Sequence, residues 1–408
     1  MKLNDIAEFV TDKISSSSIS LDRYVTTDSL LQNKRGRETA QNLPPVPCAL
    51  THYKQGDVLV ANIRPYLKKV WYADSEGGCS SDVLAFRAKN GHCPSFLYTV
   101  LMQDAFYEYT MSGAKGSKMP RGDKDQIMRY ELPTFTPTEE ENIGNMMVDI
   151  MSKINVNRQI NDNLEEQLRL ITSHYIFCSP NLEKKRIGEI ATVKAGGDCP
   201  IIFSKTRTQE CNIPIFSNGT ENRGLYGFTD KATIEEHSIT VAARGTIGYC
   251  ERRLKPFVPI IRLLAITPKD EGAYIYLHQV FKGMKFKKNG SVQQQLTVPE
   301  ISFIEIPYPN YSVLSEYNKV VSPIVEMIER NISENESLTK QRDELLPLLM
   351  NGQASVNYHL SASFLSSLIL YRDQYKFYDM KETIIQTVLD GMRAVLTENQ
   401  LDLLTDVT

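Results

Sequence analysis

Residues 116–133 read GSKMPRGDKDQIMRYELP, and residues 290–307 read GSVQQQLTVPEISFIEIP. With an offset of 174 positions (290 − 116), Gly116-Ser117 falls on Gly290-Ser291, Ile127 on Ile301, and Glu131-Leu132-Pro133 on Glu305-Ile306-Pro307. The offset continues without a gap to residue 171. The two openings also match: Leu3-Asn4-Asp5-Ile6-Ala7 is similar to Ile187-Gly188-Glu189-Ile190-Ala191, at an offset of 184 (187 − 3). A period this long means two copies of a whole domain rather than a solenoid.

The later part of each copy reads as helix. In the first, apolar residues fall in two heptad columns: Ile143, Ile150, Asn157, Leu164, Ile171 and Met147, Ile154, Asn161, Leu168. In the second they are Tyr317, Ile324, Asn331, Leu338, Leu345 and Val321, Ile328, Asn335, Arg342. Columns alternately four and three apart are the a/d seam of a coiled coil. Pro137 and the acids after it suit a helix start. Pro347 and Asn351-Gly352 suit a helix end. Pro323 is expected to kink or delay the second helix. Asn157, Asn161, Asn331 and Asn335 occupy core columns, where an amide costs stability unless it is paired and where it fixes register. If the helices run antiparallel, these four amides are expected to meet at the centre of the pair, under a pseudo-two-fold axis. Some 34 residues of helix make a rod of about 50 Å. The expected design is a caliper with a globular domain at each tip.

The fold class that follows is α+β: two tandem globular α/β domains, each followed by a long helix, the helices pairing as an antiparallel coiled coil. The expected boundaries are 1–137 and 180–310 for the globular domains, 138–175 and 311–350 for the helices, and 357–408 for a C-terminal helical extension. In that extension KETIIQTVLDGMRAVL places Ile384, Ile385, Val388, Leu389, Met392 and Leu396 on one face, and TENQ at 397–400 resembles a capping box. Within the globular domains, residues 57–63, 83–86, 238–243 and 259–267 read as strands.

The net charge of −3 hides an alternation. The globular stretches 1–130 and 185–308 are mildly basic, and the helical stretches 138–171 and 311–345 are acidic. Basic and amide side chains concentrate in Gly- and Pro-punctuated loops. In the first domain these are Lys34, Arg35, Arg37, Arg64, Tyr66, Lys68, Lys115, Lys118 and Arg121. In the second they are Lys205, Arg207, Asn218, Arg223, Tyr226, Arg244, Tyr249, Arg252, Lys285, Lys287, Lys288, Gln293 and Gln295. Arginine forks, lysines and amides are the groups that read base edges and hold phosphates, and the tyrosines, with Phe286, can stack or line a groove. These residues are the candidate contacts to double-stranded DNA.

Other chemistries find no support. The chain lacks the G-x-x-x-x-G-K-[ST] phosphate loop, since GAKGSK has the wrong spacing. Asn42-Leu43-Pro44-Pro45 has one residue too many, and no aromatic, for an adenine methyltransferase motif. The glycines of 196–198 and 244–248 read as turns. Seven cysteines with no C-x-x-C, and six dispersed histidines, offer no metal site and suit a reducing cytosol. No apolar run is long enough to span a bilayer, so a cytoplasmic protein without a membrane partner is expected.

Taken together, Ile187–Ala191 (IGEIA), Arg244–Gly248 (RGTIG), Gly290–Leu296 (GSVQQQL), Glu305–Pro307 (EIP), Asn331, Leu338 and the closing LLPLLMNGQASV at 345–356 resemble the specificity subunits of Type I restriction–modification systems. The resemblance covers residues 1–356. The first half departs from the pattern, with NIRPY at 62–66 in place of RGTIG and GSKMPRG in place of GSVQQQL. The resemblance implies a non-catalytic chain with two target-recognition domains, each reading one half of a split DNA sequence. It implies spacer helices that dock two methyltransferase (modification) subunits, with restriction/translocase subunits joining them. No cofactor is expected on this chain; S-adenosylmethionine, and ATP with Mg, belong to the partners. The competing reading is a coiled-coil scaffold or DNA-mimicking inhibitor, suggested by the acidic helices.

Overall fold

The computed structural model describes residues 1–177, 182–286 and 295–356; the extension expected at 357–408 lies outside them. The chain divides into two compact units that do not follow its linear order. Residues 1–157 with 333–356 make one, and 158–332 the other. Each unit therefore contains one globular lobe and about half of each long helix.

The first unit runs through α1 (Leu3–Ile6), β1 (Ala7–Phe9), β2 (Lys13–Ser15), β3 (Tyr24–Val25), β4 (Ala49–Tyr53), β5 (Val58–Ala61), β6 (Val70–Tyr72), β7 (Gly77–Cys79), β8 (Val83–Ala88), α2 (Pro94–Met102), α3 (Asp104–Ser112) and α4 (Lys124–Ile127) into the long helix α5 (Pro137–Phe177). Four strands form an antiparallel sheet in the order β1-β8-β5-β6, and a second sheet has the order β2-β4-β7-β3. All four residues of β5 are buried. In α2 every residue from Ser95 to Met102 is buried, as a segment with apolar contacts all round must be. The main core joins Val58, Phe86, Phe96 and Leu101 of the lobe to Met147 and Ile154 of α5, and to Leu338, Leu346 and Leu349 from the far end of the chain.

The second unit continues with β9 (Glu183–Arg186), α6 (Ile187–Ile190), β10 (Ala191–Ala195), β11 (Ile213–Phe216), β12 (Leu225–Thr229), β13 (Ser238–Val241), β14 (Cys250–Arg253), β15 (Val258–Pro259), β16 (Leu264–Pro268), α7 (Tyr274–Gly283), α8 (Val298–Phe303), β17 (Glu305–Tyr308) and the long helix α9 (Tyr311–Met350). Its principal sheet has the order β10-β16-β13-β14, which repeats that of the first unit strand for strand. The small elements repeat as well. Arg186 pairs with Glu305 between β9 and β17, where the first unit has a bridge from Lys2 to Glu131. A separate three-stranded sheet has the order β12-β11-β15.

One strand reading needs correction. The run 259–267 is two strands in two different sheets, β15 beside β11 and β16 between β10 and β13. Ile261 and Arg262 break it, both with positive φ (52° and 59°). An apolar run alone cannot show such a break.

Both long helices start on side-chain caps. Thr136 accepts from the Glu139 amide, and the Glu139 carboxylate accepts from the Thr136 N–H and hydroxyl, both at 2.8 Å. Asn310 accepts from the Val313 amide at 3.0 Å. The start of α9 is not delayed by Pro323, which lies within the helix. The seam residues Ile143, Met147, Ile150, Ile154, Leu164 and Leu168 are buried, as are Tyr317, Val321, Ile328 and Leu338. At two places the burial shifts by one residue: Val325 and Leu346 are buried where the heptad placed Ile324 and Leu345.

The amides of the seam pair within each unit. In the first, Asn157 Nδ2 donates to Asn335 Oδ1 (3.0 Å) and to Glu334 (2.8 Å), and Asn335 Nδ2 donates to the Ile154 carbonyl (3.3 Å). In the second, Asn331 Nδ2 donates to Asn161 Oδ1 (2.8 Å), and Asn161 Nδ2 to the Ile328 carbonyl (3.3 Å). A shift by the 174-residue offset turns one amide pattern into the other, which two oppositely directed helices of duplicated sequence require. Glu334 has no such counterpart, because Ile160 stands at its equivalent position.

Candidate nucleic-acid interface

In the first lobe the loop after β5 and the Gly116 segment form one surface. The Arg64 amide donates to the Pro120 carbonyl at 2.8 Å, and Lys115 and Arg121 exchange backbone hydrogen bonds, both at 2.9 Å. Gly116 makes the intervening turn with φ +97°. The Gly122 amide then donates to the Asn62 carbonyl at 3.2 Å. This sets Arg64, Tyr66, Lys115, Lys118 and Arg121 side by side, all exposed. Lys115 and Arg121 are held by single carboxylates, Asp123 at 3.1 Å and Asp82 at 3.0 Å. Exposed pairs of this kind contribute little to stability and leave the cations available.

The second lobe builds the equivalent corner. Arg244 follows β13 as Arg64 follows β5, and its guanidinium donates to Gln295 Oε1 at 2.6 and 3.0 Å. The Leu296 amide donates to the Ala243 carbonyl at 3.0 Å. On the offset of 174, Gln295 is the counterpart of Arg121. Elsewhere on the lobe, Lys205 lies over the Tyr226 ring at 4.1 Å and near Phe203 at 5.3 Å. Arg207 and Lys285 are exposed. Lys287, Lys288 and Gln293 lie outside the described residues.

Eight candidates have side chains already engaged by other groups of the protein, some of them buried. Lys34 is buried and pairs with Asp104 (2.6 Å) and, at 4.0 Å, with Asp343 of α9. Burial pulls its pKa down against the pull of Asp104. Lys68 shares Asp104 at 2.9 Å. Arg37 stacks on Trp71 at 4.3 Å and donates to the Asp22 carbonyl, and Arg35 donates to the Gln32 carbonyl. Asn218 spends both ends of its amide on backbone, at Ile261 and Ala243. Tyr249 donates to Glu251 at 2.5 Å. Arg223 bonds Glu251 (2.7 Å) and Glu329 of α9 (3.2 Å). Arg252 is buried between Glu165 of α5 (2.5 Å) and Glu329 (3.3 Å).

Two of these share a backbone device. Asn33-Lys34 and Asn222-Arg223 are consecutive left-handed pairs, each leading to a positive-φ glycine, Gly36 or Gly224. The turn reverses the chain and directs the basic side chain back into the fold. Composition cannot distinguish such a loop from a solvated one.

The buried network of the second unit is expected to make it acid-sensitive. His278 on α7 lies 3.3 Å from Arg252. Burial, then the charges of Arg252, Lys282 and Arg223, push its pKa well below the ordinary 6.5. Burial alone would raise the Glu165 carboxyl, but Arg252 and Lys282 hold it below the ordinary 4.5. Glu251 behaves alike beside Arg223. A group whose folded pKa is depressed stabilises above its unfolded pKa, and that contribution is lost as pH falls through the folded value. Stability of this unit is therefore expected to decline below about pH 6.5 through His278, and further below about pH 4.5 through the two carboxylates. Urea midpoints at pH 7, 6 and 5 test the first part: His278→Gln should flatten the decline, and an unchanged slope would remove His278 from the account.

A protein of Mycoplasma pneumoniae named as a type I specificity subunit is 32% identical over 284 residues, covering 66% of this chain and 75% of the relative. The chain belongs to the Type I restriction–modification specificity subunits. A model of the Type I restriction modification DNA specificity domain matches residues 180–343 of this specificity subunit. A second protein of M. pneumoniae so named is 34% identical over 140 residues, 34% of this chain and 42% of that protein's length. The specificity subunit of the HindI Type I restriction enzyme of Haemophilus influenzae is 22% identical, covering 86% of this chain and 98% of the relative. The crystal structure of an S subunit from M. genitalium shares the fold, with a TM-score of 0.53 at 17% identity, over 86% of this chain and 95% of that one. The family is one of specificity rather than catalytic subunits. No helix among the described residues is long and apolar enough to cross a membrane.

Proposed function

We propose that this specificity subunit reads a bipartite duplex DNA target, one half with each lobe, with the paired helices as the spacer. The observation that carries the reading is the duplicated corner: in both lobes an arginine after the third strand of the repeated sheet order, Arg64 or Arg244, abuts the segment repeated at an offset of 174. Exposed cations at such a corner suit phosphates and base edges together. The target-recognition domains are residues 1–137 and 180–310, and the spacer helices 138–175 and 311–350. The helices dock two modification subunits that carry S-adenosylmethionine and methylate the target. Restriction/translocase subunits with ATP and Mg join that complex in the cytoplasm.

The test replaces residues 1–137 with the matching domain of another specificity subunit and maps the sequence methylated by the full complex. One half of the target should change and the other should stay. A change in both halves, or in neither, overturns the bipartite reading. A complex that binds duplex DNA without salt dependence, or not at all, would favour the scaffold alternative, since phosphate contacts release counterions.

A further inference from the structure

We propose that Ile261 and Arg262 form a base-reading pair of the second lobe, presented by a strained turn and aligned with Arg244 through Asn218. The proposal rests on the reading of this lobe as a duplex DNA binder. Between β15 and β16 the chain leaves the core for two residues and returns. Ile260 and Leu263 are buried, whereas Ile261 is 49% exposed and Arg262 is exposed. Both exposed residues have left-handed backbone, with φ 52° and 59°. That region is unfavourable for a β-branched side chain, and glycine would occupy it without cost. An apolar side chain kept both strained and in water has no reason in the fold itself, and strain of this kind gathers at binding sites.

The turn is firmly held. The Ile261 and Arg262 amides donate to the Gly197 and Gly196 carbonyls at 2.8 and 3.0 Å. Gly196 is needed for that approach, because a Cβ there would stand 2.6 Å from the Pro259 backbone. Asn218 Nδ2 donates to the Ile261 carbonyl, and Asn218 Oδ1 accepts from the Ala243 amide, both at 2.8 Å. One amide thus locks the strained turn against the loop that carries Arg244. Asn218 is accordingly a positioning residue. The Arg262 guanidinium has no ionic partner among the described residues. A free arginine fork beside an exposed isoleucine matches guanine O6/N7 next to a thymine methyl in the major groove. The first lobe has no positive-φ pair between β7 and β8, at residues 80–82. The contribution belongs to one half-site only.

The test uses the full complex and duplexes carrying its mapped target, with single base-pair changes in each half. Arg262→Ala should weaken cognate binding by about 5- to 150-fold. It should also abolish discrimination at one base pair of one half, leaving the other half as in the parent. Arg262→Lys, which keeps the charge and loses the fork, should not restore that discrimination. Ile261→Gly should raise the melting temperature and lose discrimination at the neighbouring pair. Uniform weakening across all sequences, rescue of discrimination by lysine, or a higher melting temperature with unchanged base preference would each overturn the proposal. Failure of the parent complex to bind any duplex would instead remove the underlying reading of the lobe.

Discussion

Arg252→Ala is expected to destabilise the second unit by about 3–5 kcal/mol, the cost of breaking a buried ion pair from one side. Arg252 comes from β14 at the edge of the repeated sheet, and its side chain is only 3% exposed. Its guanidinium reaches Glu165 on α5 at 2.5 Å, Glu329 on α9 at 3.3 Å and His278 on α7 at 3.3 Å. Truncation would leave Glu165 and Glu329 without their buried partner, although Lys282 (2.7 Å) and Arg223 (3.2 Å) would still reach them. The network joins lobe to helices, so, on the bipartite reading proposed above, a looser lobe is also expected to aim less sharply at its half-site. Urea unfolding of the full chain measures the first effect, and half-site discrimination the second. An Arg252→Met, Glu165→Gln, Glu329→Gln triple variant should recover much of the stability, because neutral groups of similar size avoid the desolvation of charge. A loss below about 1 kcal/mol for Arg252→Ala would mean that water already screens the network, as at a surface ion pair.

Asn157→Leu is the second large effect, at about 2–3 kcal/mol. Asn157 is 1% exposed and donates to both Asn335 and Glu334. Leucine would leave the Asn335 carbonyl oxygen facing an apolar side chain, and would remove from Glu334 a donor that Lys153, at 3.5 Å, only partly replaces. The Asn157→Leu, Asn335→Leu double variant should cost less than the sum of the single changes, because neither amide is then left alone. Paired denaturation curves give the coupling directly. Strictly additive losses would show that the two amides act independently.

The repeat, the two long helices and their amide-bearing middles were legible because each rests on spacing along the chain. The offset between Gly116 and Gly290 carried the duplication, and Asn157 and Asn331 carried the seam. The heptad missed single-residue shifts of burial at Val325 and Leu346, which a strict repeat does not encode. The surface was read less well. Lys34, Arg223 and Arg252 have the same side-chain chemistry as Arg64 and Arg244, and they stand in equally loop-like stretches. What separates them is whether a carboxylate from a distant helix meets them, and no local pattern records that. The exposed turn at Ile261-Arg262 was hidden in the opposite way, inside an apolar run that read as one strand.

The interleaving of the two units has a consequence for biogenesis. The described residues of the second unit, 158–332, are contiguous, so its described core can close as soon as they have emerged from the ribosome. The unit that begins at Met1 cannot. Its core lacks Leu338, Leu346 and Leu349 until synthesis nears the end of α9. Residues 1–157, although translated before the other unit, thus finish folding after it, and a chain cut short after residue 332 would leave their lobe with an open apolar face.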